Sequence, residues 1–383
     1  MAILVAGLGI TALVAAQVQR LGVEQHLRIE RNLLDDVGDA IDAKLAVNVA
    51  LLSSVKGLFR ASDRVKRGEF QEFYAAIAAD SGSLQGIQGV GFSRWLSAGQ
   101  LPAFEQRIRA EGFPDFRVRP LGPRPYYSAI EFLEPFDWRN RRAFGFDMFS
   151  EPTRRVAMER AARTGLASLS GRVTLIQETE TDVQPGVLLY LPVYQGDTSQ
   201  LSSEGRRRQL LGWAYSPMRA RDLILSALNT VNNPDFSGAR VVVYDGPERS
   251  RDSLLFDNQP RKGLAASQPL RHPTYRELAI AGRTWTLGLE LGPHLIGPTG
   301  INADFWVVLI SGVALSSLLA MASQQLVANH LATRQALAAS EDARAERALA
   351  STVFEASSLA IYVTNPDGYI LTANNAFTQL SGY

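Results

Sequence analysis

The 383-residue sequence predicts an α+β protein held between two membrane helices, and three observations lead there. Residues Phe305 to Ala322 form an uncharged apolar run of roughly 18 residues, near the lower limit for crossing a hydrocarbon core of about 30 Å. Between Glu69 and Leu291 the texture changes to short elements broken by Gly and Pro. From Val313 to Asn365 there is neither residue, and helix formers dominate Gln324 to Ala350.

Only a helix satisfies its own backbone groups in lipid, so the Phe305–Ala322 run predicts a membrane helix, placed at residues 303–323. Ala2 to Val18 is a second apolar run, about 17 residues long. It reads either as a cleaved signal peptide or as an uncleaved anchor at residues 1–19. A basic start is absent while Val14-Ala15-Ala16 is a passable cleavage site. The helical continuation favours the anchor. Met1 abuts the apolar run directly, which leaves an upstream start open.

The totals exclude several classes. With 39 basic and 38 acidic side chains the net charge is +1, so nothing marks a nucleic-acid groove. The absence of Cys excludes disulfides and Cys-ligated zinc. His26, His272, His294 and His330 lie far apart and form no metal-spaced pair.

From Gln17 to about Arg60 no Pro occurs, and Leu27, Leu34, Ile41, Asn48 and Val55 recur every seven residues. Leu45, Leu52 and Phe59 widen that seam. It fits a long amphipathic helix packing on its own domain, a parallel dimer seam with Asn48 fixing register, or both. Strands follow at Gln88–Trp95, Val173–Gln177, Gly186–Val193, Leu210–Tyr215, Ala239–Asp245, Ser253–Asp257 and Arg283–Glu290. Phe116–Arg119 is extended, and Pro120, Pro123 and Pro125 force a loop ending at Tyr126-Tyr127. Helices are expected at Leu101–Glu111, Pro152–Thr164 with Ser150 as N-cap and Gly165 past its end, and Met218–Leu228. Two successive α+β units result, dividing near Gly205 to Gly212. Beyond the second membrane run, a polar helix of roughly 30 residues is expected to pair with its copy in another chain. Strands at Leu359–Val363 and Tyr369–Thr372 then flank the turn Asn365-Pro366-Asp367-Gly368, and a helix starts near Asn374.

No catalytic constellation stands out. Gly7-Leu8-Gly9 lies inside an apolar run and reads as membrane packing rather than a phosphate loop. Glu178, Glu180 and Asp182 form either a solvated loop or a cation site. Arg154 and Arg155 sit near a helix start, where amide and guanidinium groups both favour anions, although a solvated Arg pair is the plainer reading. Trp95, Tyr126, Tyr127, Trp138 and Tyr190 line a pocket or fill a core, the core being the better reading of Trp95 and Tyr190.

Several spaced motifs resemble the CHASE sensory domain family. They are Phe144-Gly145-Phe146-Asp147-Met148 running on through Arg155, Ala161 and Gly165, then Gly186-Val187-Leu188-Leu189-Tyr190-Leu191-Pro192-Val193-Tyr194. The strand Gly89-Val90-Gly91-Phe92 and the helix carrying Phe104 and Arg107 agree, so the resemblance covers roughly Leu51 to Leu291. It implies an extracytoplasmic ligand sensor: a stalk helix (20–67) and two tandem PAS-like units (68–208 and 209–300) flanked by two transmembrane helices. Plant members bind adenine-type ligands through an acidic residue. That position falls at Arg154 here, or at Thr153 with a one-residue slip. A hydroxyl position falls at Ser170, an aliphatic contact at Ile176 and a Thr position at Tyr190. Arg in place of a carboxylate reverses the charge and Tyr in place of Thr shrinks the cavity, which points to an anionic or smaller ligand. The ligand-binding candidates are thus Arg154, Arg155, Ser170, Ile176, Tyr190 and Tyr126.

Val353-Phe354-Glu355-Ala356-Ser357, Asn365-Pro366-Asp367-Gly368-Tyr369-Ile370, Asn374-Asn375-Ala376-Phe377 and Ser381-Gly382-Tyr383 resemble the opening of a PAS domain. The expected arrangement is a signalling helix at 324–350 and an incomplete PAS domain at 351–383. No metal or cofactor is expected from the residues given. The expected protein is a two-pass inner-membrane receptor, a parallel homodimer with its PAS end cytoplasmic. Its expected partners are a small ligand and membrane lipid, not nucleic acid. By family analogy the output is a diguanylate cyclase or cyclic-di-GMP phosphodiesterase, or else a histidine kinase. An enzyme in the outer domain and a non-sensing adaptor are the other classes.

Overall fold

The computed structural model describes residues 2–79, 84–178, 183–198, 200–236, 238–259, 274–291 and 303–382. His272, His294, Glu180, Asp182 and Tyr383 lie outside the described residues. The contacts divide the chain into two units, Gly22–Ile301 and the segments Met1–Leu21 with Asn302–Tyr383.

Helix α1 (Ala2–Ala61) is Pro-free and unbroken. From Leu34 on, its seven-residue row is spent inside the chain: Leu34, Ile41, Asn48 and Val55 are all buried, as are Leu45, Leu52 and Phe59, while Leu27 at the head of the row is exposed. The Asn48 amide donates to Ser216 Oγ at 3.3 Å and to Met218 Sδ at 2.9 Å. A side chain so enclosed cannot set the register of a second copy, which corrects that reading of Asn48.

Helix α2 (Arg67–Ala79) precedes β1 (Val90–Ser97), α3 (Leu101–Ala110), β2 (Tyr126–Glu134), α4 (Trp138–Arg141) and a 3-10 turn at Met148–Ser150. Then come α5 (Pro152–Thr164), β3 (Ser168–Leu169), β4 (Val173–Thr174), β5 (Pro185–Tyr194), α6 (Ser203–Arg208) and β6 (Leu210–Arg219). The strands form one antiparallel sheet ordered β2-β1-β6-β5-β3, with β4 also on β5. Side chains alternate along β5 as a strand requires. Val187, Leu189, Leu191 and Val193 join the core around α1, whereas Leu188 and Tyr190 join the core under α5.

The central place of β6 corrects the expected division. The first sheet runs on to Arg219, so β6 stands inside it rather than opening a second unit between Gly205 and Gly212. The Gly- and Arg-rich stretch that reads as a linker is α6, capped by Ser202, followed by a strand end. Gly212 has φ +153, and a Cβ there would collide with the Ser93 carbonyl oxygen, so this glycine allows β1 and β6 to approach. Strand β2 is longer than the expected loop end at Tyr126-Tyr127. Both its faces are covered from Tyr127 to Leu133, which removes the alternation that marks a strand in sequence.

Helix α7 (Ala220–Leu228) leads into β7 (Arg240–Asp245), β8 (Leu254–Asp257), β9 (Thr274–Ile280) and β10 (Arg283–Glu290). These make a four-stranded sheet ordered β8-β7-β10-β9. Val241, Val243, Trp285, Leu287 and Leu289 share the α1 core. The edge strand β9 went unrecognised in the sequence because its inner residues are interrupted by Arg276 and Glu277.

In the second unit, α8 (Ala303–Ala356) is one helix. Gly7 and Thr11 of α1 interlock with Gly312 and Ser316. A Cβ on Gly7 would lie 2.5 Å from Ser316 Oγ, and one on Gly312 would lie 2.5 Å from Thr11 Oγ1. Both hydroxyls donate back to the glycine carbonyls, Thr11 to Gly7 at 2.9 Å and Ser316 to Gly312 at 2.7 Å. Small residues four apart on both helices are how membrane helices approach closely. Among the described residues α1 and α8 are the helices long and apolar enough to cross a membrane. Residues 324–353 are exposed throughout. Strands β11 (Tyr362–Thr364) and β12 (Ile370–Ala373) pair antiparallel, and Asn374 caps α9 (Asn375–Ser381) by accepting from Phe377 N at 3.0 Å.

Candidate ligand site under helix α5

Helix α5 is built for one-sided burial. Arg154, Ala157, Met158, Ala161 and Ala162 face inward at helical spacing. The alanines let the helix lie close on the sheet. Its N-cap is Glu151 rather than the expected Ser150. The Glu151 carboxylate accepts from Thr153 N at 2.9 Å and Arg154 N at 2.8 Å, a charge suited to the positive end of a helix. Gly165, with φ +77, ends the helix and donates to Ala161 O at 2.8 Å.

Arg154 is the unusual member: a cation at the positive end of a helix, and only 3% exposed. One nitrogen donates to Thr174 O at 3.2 Å, the guanidinium lies 5.0 Å from the Phe146 ring, and Glu151 is 3.8 Å away. Its Nε has no hydrogen-bond partner among the described residues.

Beneath it, strand register lines up Ser168, Tyr190, Tyr215 and Gly91 as successive cross-strand partners. Cross-strand partners share a face. Tyr190 and Tyr215 are wholly buried, with ring centroids 6.4 Å apart. Gly91 is required there, since its Cβ would lie 2.6 Å from the Tyr215 ring. Tyr190 reaches Met148 Sδ at 3.5 Å, whereas Tyr215 Oη and Ser168 Oγ have no partner among the described residues. Buried polar groups are ordinarily paired, and each orphan costs about 1–3 kcal/mol. Three such groups, one of them on the buried cation Arg154 itself, thus gather around one row.

Burial pushes both phenols above their usual range, with Arg154 pulling them partly back, so they stay neutral donors. Tyr194, whose Oη donates to Ala162 O at 2.8 Å, is pushed up to about 12 by burial, with Arg206 opposing. The unfolded chain ionises its tyrosines near pH 10 while these three stay protonated in the fold. Stability is therefore full below about pH 10 and falls above it, by about 1.4 kcal/mol per pH unit for each tyrosine. A denaturant midpoint measured from pH 9 to 11.5 should drop accordingly, and Tyr190→Phe should flatten that slope.

The other expected contacts divide. Ser170 is buried, accepting from Leu188 N at 2.9 Å and donating to Gly171 O at 2.8 Å, so it pins the end of β3 to β5. Ile176 packs at the margin of the same core. Arg155 points elsewhere, donating to Phe149 O at 2.8 Å and Ser150 O at 3.2 Å. Tyr126 is 42% exposed and stacks on Trp95 at 4.9 Å, away from the row. Trp95 is partly exposed rather than core, and Trp138 is exposed. Glu178 is bonded to Arg219 at 2.9 Å, which removes it from a cation site, and no metal-holding group occurs among the described residues. Tyr215 and Ser168 were missed in the sequence, because only strand register places them beside Tyr190.

Asp147 organises the neighbourhood. Its buried carboxylate accepts from Ser128 N at 2.7 Å, Phe149 N at 3.1 Å and Arg124 Nε at 2.9 Å, tying β2 to the turn before α5.

The CHASE domain family matches residues 63–256, and a PAS domain matches residues 348–383. Together these two sensory domains define a receptor of signal transduction. The chain belongs to the CHASE domain family, whose match covers just over half of its 383 residues. No curated protein matches the chain.

Proposed function

We propose that the chain is a two-pass receptor of the inner membrane. Its CHASE region lies outside the cytoplasm and its PAS end within. The observation that carries this reading is the pair of apolar helices bracketing the CHASE match, with Gly7, Thr11, Gly312 and Ser316 interlocked. Lower α1 then acts as a stalk, and the two sheets are tandem PAS-like units. A small anionic ligand enters under α5, where Arg154, Tyr190 and Tyr215 donate to it. The exposed polar helix at 324–353 suits pairing with a second copy in a parallel homodimer. A ligand that binds two states of that pair unequally would bias the PAS region. The Val353-Phe354-Glu355-Ala356-Ser357 opening favours a cyclic-di-GMP synthesising or degrading output over a histidine kinase.

The natural lack of cysteine makes the topology testable. Leu166 and Leu349 are 68% and 66% exposed. On intact spheroplasts a membrane-impermeant maleimide should label Leu166→Cys and spare Leu349→Cys until the cells are lysed. Labelling of Leu349→Cys alone contradicts the orientation.

A further inference from the structure

Helix α5 has a second, outward flank, and a cleft lies along it. Val156, Glu159, Arg160 and Arg163 follow one another at helical spacing, and together with α6 and the sheet they enclose about 510 Å³. Such a volume is in the range of small-molecule sites, roughly 300–1,000 Å³. The walls are aromatic. Trp95 stands edge-on to Phe149 at 5.0 Å and 74°, and to Trp213 at 5.4 Å and 85°. Trp213 already donates its Nε1 to Met158 O at 3.0 Å, so it offers the cleft only its ring. Phe149 and Trp95 pack against the core but stay partly exposed, so each turns part of an apolar ring to the cleft.

The rim is positive. Arg160, Arg163 and Arg207 line it, against Glu159 and Glu204, and Glu204 is paired with Arg208 at 2.9 Å. Arg207 lies 5.8 Å from the Tyr126 ring, which itself stacks on Trp95. Burial, Arg283 and Arg163 all hold the Arg160 guanidinium below its usual range, and Arg160 itself donates to Gly282 O, which leaves Arg163 and Arg207 as the guanidinium groups offered to the cleft. Flat aromatic walls suit a planar ring, and a fork of guanidinium groups suits a carboxylate.

We propose that this cleft is a second ligand site of the CHASE region, taking a planar aromatic acid whose ring lies against Trp95 and whose carboxylate is met by Arg163 and Arg207. The site is separate from the Arg154 row, since the two use opposite flanks of α5. It accounts for Tyr126, which the buried row leaves out: Tyr126 backs Trp95 and steers Arg207.

The test is calorimetric titration of the full chain in detergent micelles with 2-naphthoate, and with 2-naphthamide as the neutral control. Saturable binding of the acid is expected, with the amide weaker by about tenfold. Arg163→Glu with Arg207→Glu, both at exposed positions, should weaken the acid by about tenfold or more while leaving the thermal midpoint unchanged. Arg154→Gln should leave binding as it was. Equal binding of acid and amide, binding indifferent to the double substitution, no saturation in the millimolar range, or loss on Arg154→Gln alone would each overturn the proposal.

Discussion

Asp147→Ala should lower the stability of the CHASE region by about 3–5 kcal/mol, the range for breaking a buried, hydrogen-bonded charge pair. The carboxylate is wholly buried and satisfies two backbone N–H groups as well as Arg124. Removing it leaves Ser128 N unpaired at a fully buried residue, frees Arg124, and loosens the turn that sets the start of α5. The thermal midpoint, followed by circular dichroism in detergent, should fall by roughly 10 °C for a region of this size. A change under about 2 °C would show that these bonds are replaced by water and that Asp147 does not organise the turn.

Arg154→Met should act in the opposite direction. Arg154 is buried at the wrong end of a helix dipole, makes one hydrogen bond at 3.2 Å, and leaves Nε unpartnered. Replacing a poorly compensated buried charge by an apolar side chain of similar length is commonly stabilising, by about 1–4 kcal/mol. Tyr215→Phe should likewise be neutral or stabilising by about 1 kcal/mol, because it deletes an orphaned hydroxyl. Both substitutions should at the same time abolish the response to an anionic ligand. Gain of stability with loss of response is the signature of groups retained for binding. Residues retained for packing lose both together. Destabilisation of the unliganded protein by Arg154→Met would place Arg154 with the structural residues.

Much of this architecture was legible because local rules and tertiary packing agree. Pro152 and Gly165 bound α5 as expected, Arg283 to Glu290 is the expected strand, and the turn at Asn365 to Gly368 lies between the expected strands. Elements covered on both faces were harder. Strand β2 shows no alternation, and β6 follows a Gly-containing, Arg-rich stretch that reads as a linker. The heptad on α1 was real, but a seven-residue row does not say whether it faces a second copy or two sheets of its own chain; Asn48 beside Met218 answers that at one position. Arg154 and Tyr190 were identifiable from family motifs, and they lie in one neighbourhood. Ser168 and Tyr215 could not be identified, because they join the site only through cross-strand register. Ser170, at the end of β3, is bonded to Leu188 and Gly171.

The buried row under α5 is proposed to bind a small anion. The most direct measurement is the thermal midpoint of the full chain in detergent, screened against organic acids and inorganic phosphate, beside the Arg154→Met variant. A ligand present at about a hundred times its Kd should add about 2.7 kcal/mol to the native protein. At least one such anion is expected, with its shift lost in Arg154→Met although that variant starts from the higher midpoint. A screen in which no anion's shift is lost in Arg154→Met, or in which only uncharged compounds stabilise the chain, would contradict that assignment.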